Sequence, residues 1–359
     1  MPIPYKRLSR QATRLTGLCL LTVSALPAWA GSALSSQALL EQFNLMVFGN
    51  TTSYQEVAGR TYVGGSATGG TYAAWGQTLG SSSYAGLTVQ GSASGVSVQN
   101  GGAVVAGSIS NSTINNGSSA ILGSSNTSYN GSGTTYVAGS IAGGNLNQSL
   151  ISDLSQSSLL SAEVQAAQST STSDYQSQLV DLSQQLSSLT ATGSTSVSGN
   201  KVTFTATAGS DGVAVIDLTG SASSLLTSYG EFQFDVASDV TTLIFNVTGD
   251  TLSLYANFLA GSAQSLASNT IWNFIDTSSL TLTSQFGGTI LAPYAELTNG
   301  NEIWGGVFVN NLIQYGAIRD AGFTGSVDGI AAPVPEPALG LLFGVGLLGL
   351  GWRRCRASG

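Results

Sequence analysis

The chain of 359 residues contains no histidine, and its two cysteines, Cys19 and Cys355, lie near opposite ends. Histidine is the usual general base of enzymes and the commonest metal ligand in proteins. Its absence excludes Ser-His-Asp and Cys-His catalysis and the ordinary kinds of zinc site. Because both cysteines lie near the ends, we expect neither disulfides nor thiolate chemistry in the chain between them.

Charged residues are also scarce, at 8% of the chain. Between residues 31 and 333 only Arg60, Lys201 and Arg319 are basic, against seventeen acidic residues, which gives a net formal charge of −14. This negative charge argues against nucleic acid and anionic membrane surfaces as partners. The acidic residues lack the spacing of known calcium loops, and we predict no catalytic residue, no metal and no cofactor.

Residues 1–30 have the pattern of a secretory signal peptide, in which four basic residues precede a short apolar stretch. Ala28 and Ala30 form a small-x-small cleavage site, which predicts a cut before Gly31. The apolar stretch is shorter than the roughly 20 residues that a membrane-spanning helix needs. We therefore predict export across the inner membrane by the Sec machinery.

Residues 334–359 combine a proline-glutamate-proline box, an uncharged apolar run and a basic cluster. The residues of the box and the cluster are Pro335, Glu336, Pro337, Arg353, Arg354 and Arg356. This order resembles the PEP-CTERM sorting signal of exported Gram-negative bacterial proteins. The resemblance implies that an exosortase, a membrane protease similar to a transpeptidase, cuts near the box. The apolar run would hold the chain transiently in the membrane, with the arginines on the cytoplasmic side. A plain tail anchor or a buried C-terminal helix is the alternative.

A 16-residue repeat occupies the N-terminal part of the remaining chain. Branched residues recur in phase at Val89, Val105, Ile121 and Val137, and glycines recur at Gly91, Gly107, Gly123 and Gly139. Such a period indicates one small coil of strands per repeat, stacked on its neighbours. The branched side chains would then fill the core and the glycines would form corners. A Gly/Ser/Asn-rich linker and an array of hairpins are the alternatives.

The rest of the chain divides into a helical and a second β-rich part. From about 146 to 189, leucines recur at spacings of three and four residues, which predicts two amphipathic helices or one broken helix. From 194 to about 327, alternating segments such as Glu231 to Val236 predict further strands. The predicted fold is mostly β, a parallel β-solenoid or β-helix with an inserted amphipathic helical segment packed alongside. We assign residues 31–333 to this single domain.

Several segments resemble the choice-of-anchor A family of bacterial surface domains. They are Phe43 to Asn50, Val57 to Ala67, Trp272 to Phe274, Gly288 to Ala295 and Gly305 to Val309. The resemblance implies an adhesive domain whose later segments form further solenoid coils. Members of the family usually carry an acidic and histidine element after the last coil, and this chain has no histidine there.

The sequence therefore predicts a non-enzymatic adhesive or structural protein of the cell surface, outer membrane or extracellular matrix. We expect its partners to be extracellular polysaccharide or other surface proteins, in the setting of an exopolysaccharide biofilm. One alternative is a polysaccharide-acting β-helix enzyme, which requires clustered carboxylates beside Arg60, Lys201 or Arg319. A second is an ice-binding β-helix protein, which requires a flat face of aligned threonines. Trp75, Trp272 and Trp304 suit either a sugar-stacking platform or the core, and burial is favoured.

Overall fold

The structure is a computed structural model that describes residues 34–74, 79–80, 82–157, 172–319 and 321–328. The N-terminal part of these residues begins with helix α1 (Ser36–Gln42) and continues in strands. These strands are β1 (Leu45–Val47), β2 (Thr51–Val57), β3 (Thr61–Val63), β4 (Ala67–Tyr72), β5 (Leu87–Val89), β6 (Ala93–Ser94), β7 (Ser97–Val98), β8 (Ala103–Val105), β9 (Ile109–Ile114), β10 (Ser119–Ile121), β11 (Ser125–Tyr129), β12 (Thr134–Val137) and β13 (Ser149–Ile151).

Helix α2 (Thr172–Ser187) separates these strands from the C-terminal ones. The C-terminal strands are β14 (Ser194–Ser198), β15 (Lys201–Ala206), β16 (Val213–Leu218), β17 (Glu231–Val236), β18 (Thr242–Val247), β19 (Thr251–Leu254), β20 (Asn257–Phe258), β21 (Thr270–Phe274), β22 (Ser279–Leu282), β23 (Phe286–Gly287), β24 (Thr289–Asn299), β25 (Ile303–Trp304), β26 (Val307–Gln314) and β27 (Ile318–Arg319). Two short helices, α3 (Ser224–Ser228) and α4 (Ser262–Ser265), lie between them. The 3-10 turns are Leu154–Gln156, Gly220–Ser223 and Leu259–Gly261.

The strands stack in parallel as coils of a solenoid, apart from β14, which pairs antiparallel with β15, and this confirms the predicted fold class. One ladder runs through the whole stack in the order β16, β18, β21, β24, β26, β1, β3, β5, β8, β10, β12 and β13. Most successive coils are 16 residues apart in the N-terminal part, as between Ala103 and Ser119, although 26 residues separate Ser66 from Ser92. They are longer at the other end, where 27 residues separate Asn246 from Asn273.

The first strand of the chain lies in the middle of this stack and not at an end. Strand β1 pairs on one side with β3 and on the other with β26. From β1 at the centre, the described strands build coils outward to β13, and after α2 the strands continue from the opposite end. They then build coils back toward the centre and close on the first coil.

Branched side chains fill the interior of the coils. Val89 pairs with Val105, Val105 with Ile121 and Ile121 with Val137, and each is at most 1% exposed. Val47 and Val63 continue the same column into the central coils. Because burial of one such side chain is worth about 1.5 to 3 kcal/mol, the column is a main source of stability.

Helix α2 covers the outer surface of the strands at the centre and the C-terminal end. Its buried residues Tyr175, Leu179, Leu182 and Leu186 follow the helical spacing of three and four. They pack in one cluster with the outward-facing Ile244, Ile271, Leu291 and Phe308 of the ladder. These strands are therefore buried on both faces and their sequences read as continuous apolar runs.

The predicted helical segment differs from the structure at its start. Leu150 and Ile151 belong to strand β13, which pairs with β12 and forms the last coil of the N-terminal part. Leu154 begins a 3-10 turn, and the described α-helix begins only at Thr172. Residues 158–171, which include the predicted helical Leu159, lie outside the described residues. The leucine spacing near Leu146 therefore predicted helix where the coil's register imposes strand.

Candidate adhesive face

One long side of the solenoid is open to solvent along its length. It is formed by β2, β4, β6, β7, β9 and β11, continued by β19, β22 and the second halves of β24 and β26. In β9 the side chains of Ile109, Ser112 and Ile114 point inward, while Ser110, Asn111 and Thr113 are more exposed. This alternation places the apolar residues in the core and the polar ones on the surface.

A column of outward-facing positions, which we call the polar column, crosses nine coils of this side, and eight of its nine side chains are polar. The register of the strands aligns Ser253, Thr281, Thr298, Ile313, Thr52, Thr68, Ser94, Ser110 and Asn126. All nine are exposed or half-buried. Neighbouring members are about 4.8 Å apart, the spacing of paired strands. A second column beside it aligns Glu56 with Thr71, Ser97, Thr113 and Ser128.

A hydrogen-bonded ladder of side chains holds the corner at the edge of this side. Ser92 Oγ accepts from the backbone N–H of Ser108 at 3.2 Å, and Ser108 Oγ accepts from that of Ser124 at 3.0 Å. The same bond links Ser124 to Ser140, Ser66 to Ser92, Asn50 to Ser66 and Asn311 to Asn50. The ladder passes through the central coil without a break, so it ties the two parts of the chain into one rigid edge.

The in-phase glycines lie at this corner because a side chain has no room there. A Cβ at Gly107 would lie 2.6 Å from the carbonyl oxygen of Gly91, and one at Gly139 would lie 2.6 Å from that of Gly123. The contact is with backbone of the preceding coil, which cannot move aside. The glycines therefore allow the close approach of successive coils.

The predicted signal residues at both ends fall outside the part of the chain that the structure describes. They are Ala28, Ala30, Pro335, Glu336, Pro337, Arg353, Arg354 and Arg356. Among the residues that are described, no helix has the length and apolar character needed to cross a membrane.

Comparison with known families identifies both parts of the chain. Residues 36–320 match the family described as "Putative Ice-binding-like adhesive domain". The chain belongs to this adhesive-domain family. Residues 333–356 match the PEP-CTERM protein-sorting motif, so the predicted resemblance to a surface protein with this signal is confirmed. No curated protein and no solved structure matches the chain. The adhesive domain and the sorting motif together characterise an exported surface protein.

Most carboxylates of the adhesive domain serve local structure. Asp211 accepts a hydrogen bond from the N–H of Val213, and Asp217 accepts from the N–H and hydroxyl of Thr219. Asp250 accepts from Ser278 on the next coil. Across the described ranges, no three acidic, cysteine or histidine side chains are grouped as a metal site would require.

One charged cluster does bring together groups from distant parts of the sequence. The Arg319 guanidinium pairs with Glu302 at 2.7 Å and with Glu56, and all three side chains are about one-third exposed. The hydrogen bond from Arg319 holds the pKa of the Glu302 carboxyl below its usual range. Glu302 therefore stays ionised at neutral pH, as an ion-pair partner does, whereas a general acid needs a raised pKa.

Aromatic residues of the adhesive domain are divided between core and surface. Trp272 is fully buried, stacks on Phe245 with ring centroids 3.9 Å apart, and donates to the carbonyl of Gly287 at 2.9 Å. Trp304 is half-buried, and Trp75 lies outside the described ranges.

Two exposed tyrosines that sequence reasoning missed form a surface pair. Tyr54 is 62% exposed and Tyr315 is 53% exposed, and their rings stack with centroids 5.1 Å apart. They meet because Ser53 on β2 pairs with Gln314 on β26. No local sequence signal indicates this pair, since 261 residues separate the two strands at that point.

Proposed function

We propose that the protein is exported by the Sec machinery, cut after Ala30, and processed near Pro335 to Pro337 by an exosortase of a Gram-negative bacterium. The domain division is then 1–30, 31–333 and 334–359, with the last segment as a transient membrane anchor. The match to the sorting motif supports this proposal. The order of box, apolar run and arginines supports the orientation with the domain outside.

Mass spectrometry of the protein from fractionated cells tests the processing. We expect a mature N-terminus at Gly31 and a C-terminus near the proline-glutamate-proline box. A matched strain with Glu336→Ala should retain the uncut form in the inner membrane fraction. A protein from wild-type cells that still extends to Gly359 would contradict the sorting proposal.

We propose further that the mature domain is an adhesive component of an extracellular polysaccharide or biofilm matrix. The observation that carries this is the polar column of nine coils on an open, rigid side of the solenoid. Eight of the nine coils present a hydroxyl or amide group in this column, and their regular repetition suits a partner that is itself a repeating polymer. Many weak contacts then add to a firm attachment through effective concentration. The choice-of-anchor A resemblance agrees with this role.

Retention of the protein on isolated matrix polysaccharide tests the adhesive face. The variant with Thr52→Ala, Thr68→Ala and Ser94→Ala removes three adjacent hydroxyls from the centre of the column. We expect it to be released at an earlier wash than the wild type. The control carries Ser177→Ala and Ser187→Ala on the exposed side of α2 and Ser188→Ala directly after it. Equal release of both variants would contradict the proposal.

We propose that the domain is not an enzyme. The charged cluster of Arg319 with Glu56 and Glu302 is the arrangement closest to the requirement of a polysaccharide-acting enzyme. Its support for that alternative is weak, because Arg319 pairs with both carboxylates and Glu302 has a lowered pKa. Incubation with matrix polysaccharide should release no new reducing ends, and release that Glu302→Gln abolishes would overturn this proposal.

Ice binding is a second candidate function, and the same polar column favours it. Hydroxyls in register at strand spacing can order water in a regular array, and the family description includes ice-binding-like domains. Ile313 and Asn126 interrupt the series of hydroxyls. Thermal hysteresis of the purified protein, lost in the Thr52, Thr68 and Ser94 triple variant, is the expected result of this function. If a solution of the purified protein freezes at the same temperature as buffer, the protein does not bind ice.

A further inference from the structure

The stacked tyrosines are flanked by glycines along the solenoid. Ser53 pairs with Gly69, so the next position along the column from Tyr54 is Gly70. Gln314 pairs with Asn299, so the position on the far side of Tyr315 is Gly300. Glycine therefore follows the pair in both directions along the solenoid, and both rings are more than half exposed.

The space beside Tyr54 is a defined cleft of about 370 Å³. Gly70 and Gly95, on two successive coils, form part of its lining. Both glycines have positive φ, at 87° and 68°, a conformation that other residues adopt only with strain. The cleft is therefore built into the backbone, and a side chain cannot readily fill it.

Polar groups complete the lining of the cleft. Its other lining residues are Gln55, Glu56, Thr71 and Ser97. Arg319 holds the carboxylate of Glu56 in place. The site thus combines one flat aromatic wall with hydrogen-bond donors and acceptors around it, as small-ligand sites commonly do.

This combination fits the chemistry of a sugar ring. A pyranose has an apolar face of C–H groups that packs on an aromatic ring and a rim of hydroxyls that bonds to carboxylate, amide and hydroxyl groups. The negative charge of the domain and the carboxylate of Glu56 disfavour an anionic sugar. A neutral hexopyranose is therefore the ligand class that the cleft suits.

We propose that Tyr54, Glu56 and Thr71 form a binding subsite for one neutral hexopyranose unit of a polysaccharide. The ring stacks on the open face of Tyr54 and extends the stack that Tyr315 begins. Glu56 and Thr71 bind its hydroxyls. The site deepens the proposed adhesive function and rests on it, because it adds one anchored contact to the many weak contacts of the polar column.

Saturation-transfer NMR and calorimetry with soluble oligosaccharides test this subsite on the mature protein purified from cells that express the full chain. The probes are a neutral glucan hexasaccharide and a uronate hexasaccharide of the same length. The wild type should bind the neutral probe more tightly. Tyr54→Ala should weaken its binding about tenfold, a change that corresponds to about 1.4 kcal/mol. Tyr54→Phe should bind like the wild type, because it keeps the ring.

Two matched controls separate this subsite from other exposed surface. Tyr294 is 49% exposed and lies outside the stacked pair, so Tyr294→Ala should leave binding unchanged. A methyl group at Gly300 would meet nothing closer than 3.5 Å, so Gly300→Leu can fill the space beside Tyr315 and should also leave binding unchanged. Equal binding by Tyr54→Ala and Tyr294→Ala, or tighter binding of the uronate, would overturn the proposal.

Failure of the subsite and failure of the adhesive function give different results. If the wild type binds neither soluble probe but stays on the matrix through the polar column, the subsite is wrong and the adhesive proposal stands. If Tyr54-dependent binding is found without retention on the matrix, the adhesive proposal fails and the sugar subsite stands.

Discussion

Arg319, one of three basic residues between positions 31 and 333, links residues from both parts of the chain. Its guanidinium pairs with Glu302 from the preceding coil and with Glu56 from the first. Its backbone carbonyl accepts a hydrogen bond from the Asn44 side chain, which also accepts from the N–H of Gly59. One residue thus contacts three segments that meet only where the chain closes on its first coil.

We expect the stabilising effect of Arg319 to depend on pH. The pKa of Glu302 is lowered in the folded state, so its contribution is present above its unfolded pKa of about 4.3 and is lost as the pH falls through the folded pKa. At pH 7, Arg319→Met should lower the free energy of unfolding by about 1 kcal/mol or less, because the pair is partly exposed.

Denaturant titrations of both proteins from pH 7 down to pH 3 measure this effect. The difference between wild type and Arg319→Met should shrink as Glu302 becomes protonated. A difference that stays constant or grows in acid would contradict the assignment of the ion pair.

The corner that joins the strands of one coil is defined by a glycine followed by a serine. The glycine lets the backbone approach the preceding coil, and the serine oxygen accepts the backbone N–H of the next one. The two residues have complementary effects, since one removes a steric conflict and the other satisfies a donor at a turn. This pairing explains why both recur at the same period.

Replacing one corner glycine should therefore destabilise the fold. A Cβ at Gly107 would lie 2.5 Å from Ser92 Oγ and 2.6 Å from the Gly91 carbonyl oxygen. We expect Gly107→Ala to cost about 1 to 3 kcal/mol, the usual range for an overpacked site.

Gly80→Ala is the matched control, because a Cβ at Gly80 has no neighbour within 4 Å. Thermal unfolding gives the melting temperatures of the two variants, and we expect that of Gly107→Ala to be lower. Equal melting temperatures would show that the corner has room for a side chain and that our account of the repeat is wrong.

The described part of the chain forms one stack whose central coil comes from both ends of the domain sequence. Strand β1 lies between β26 and β3, and α1 is tied to the C-terminal segment by hydrogen bonds from Gln37 to Gly325 and from Val327 to Gln37. In a solenoid each coil contacts only its neighbours. A change in a central coil therefore weakens the interfaces with coils on both sides, whereas a change in an end coil weakens one interface.

The same valine-to-alanine substitution should therefore destabilise more coils when it lies in the centre of the stack than when it lies near an end. Val47 and Val137 are both buried. Val47 lies in the central coil, and Val137 lies in β12, near the outer end of the N-terminal part. Either change to alanine should cost roughly 1.5 kcal/mol, since each methyl group removed is worth about 0.8 kcal/mol of burial.

Hydrogen exchange followed by mass spectrometry distinguishes the two variants. Val47→Ala should speed exchange in strands on both sides, including β26 and β3, whereas Val137→Ala should affect only the coils near β12. If the two variants show the same local pattern, the central position of β1 carries no special role in stability.

The sequence by itself determined the kind of fold and the sorting signal of the protein. The sorting signal is contiguous, and a repeat in which Val105 and Ile121 keep the same phase can be read along the chain, because each coil is a local unit. The tertiary structure alone decided where the coils go. It placed β1 beside β26, put Leu150 and Ile151 in a strand that pairs with β12, and brought Tyr54 against Tyr315. The first and last of these arrangements depend on contacts between residues far apart in the chain, which leave no periodic signal in the sequence.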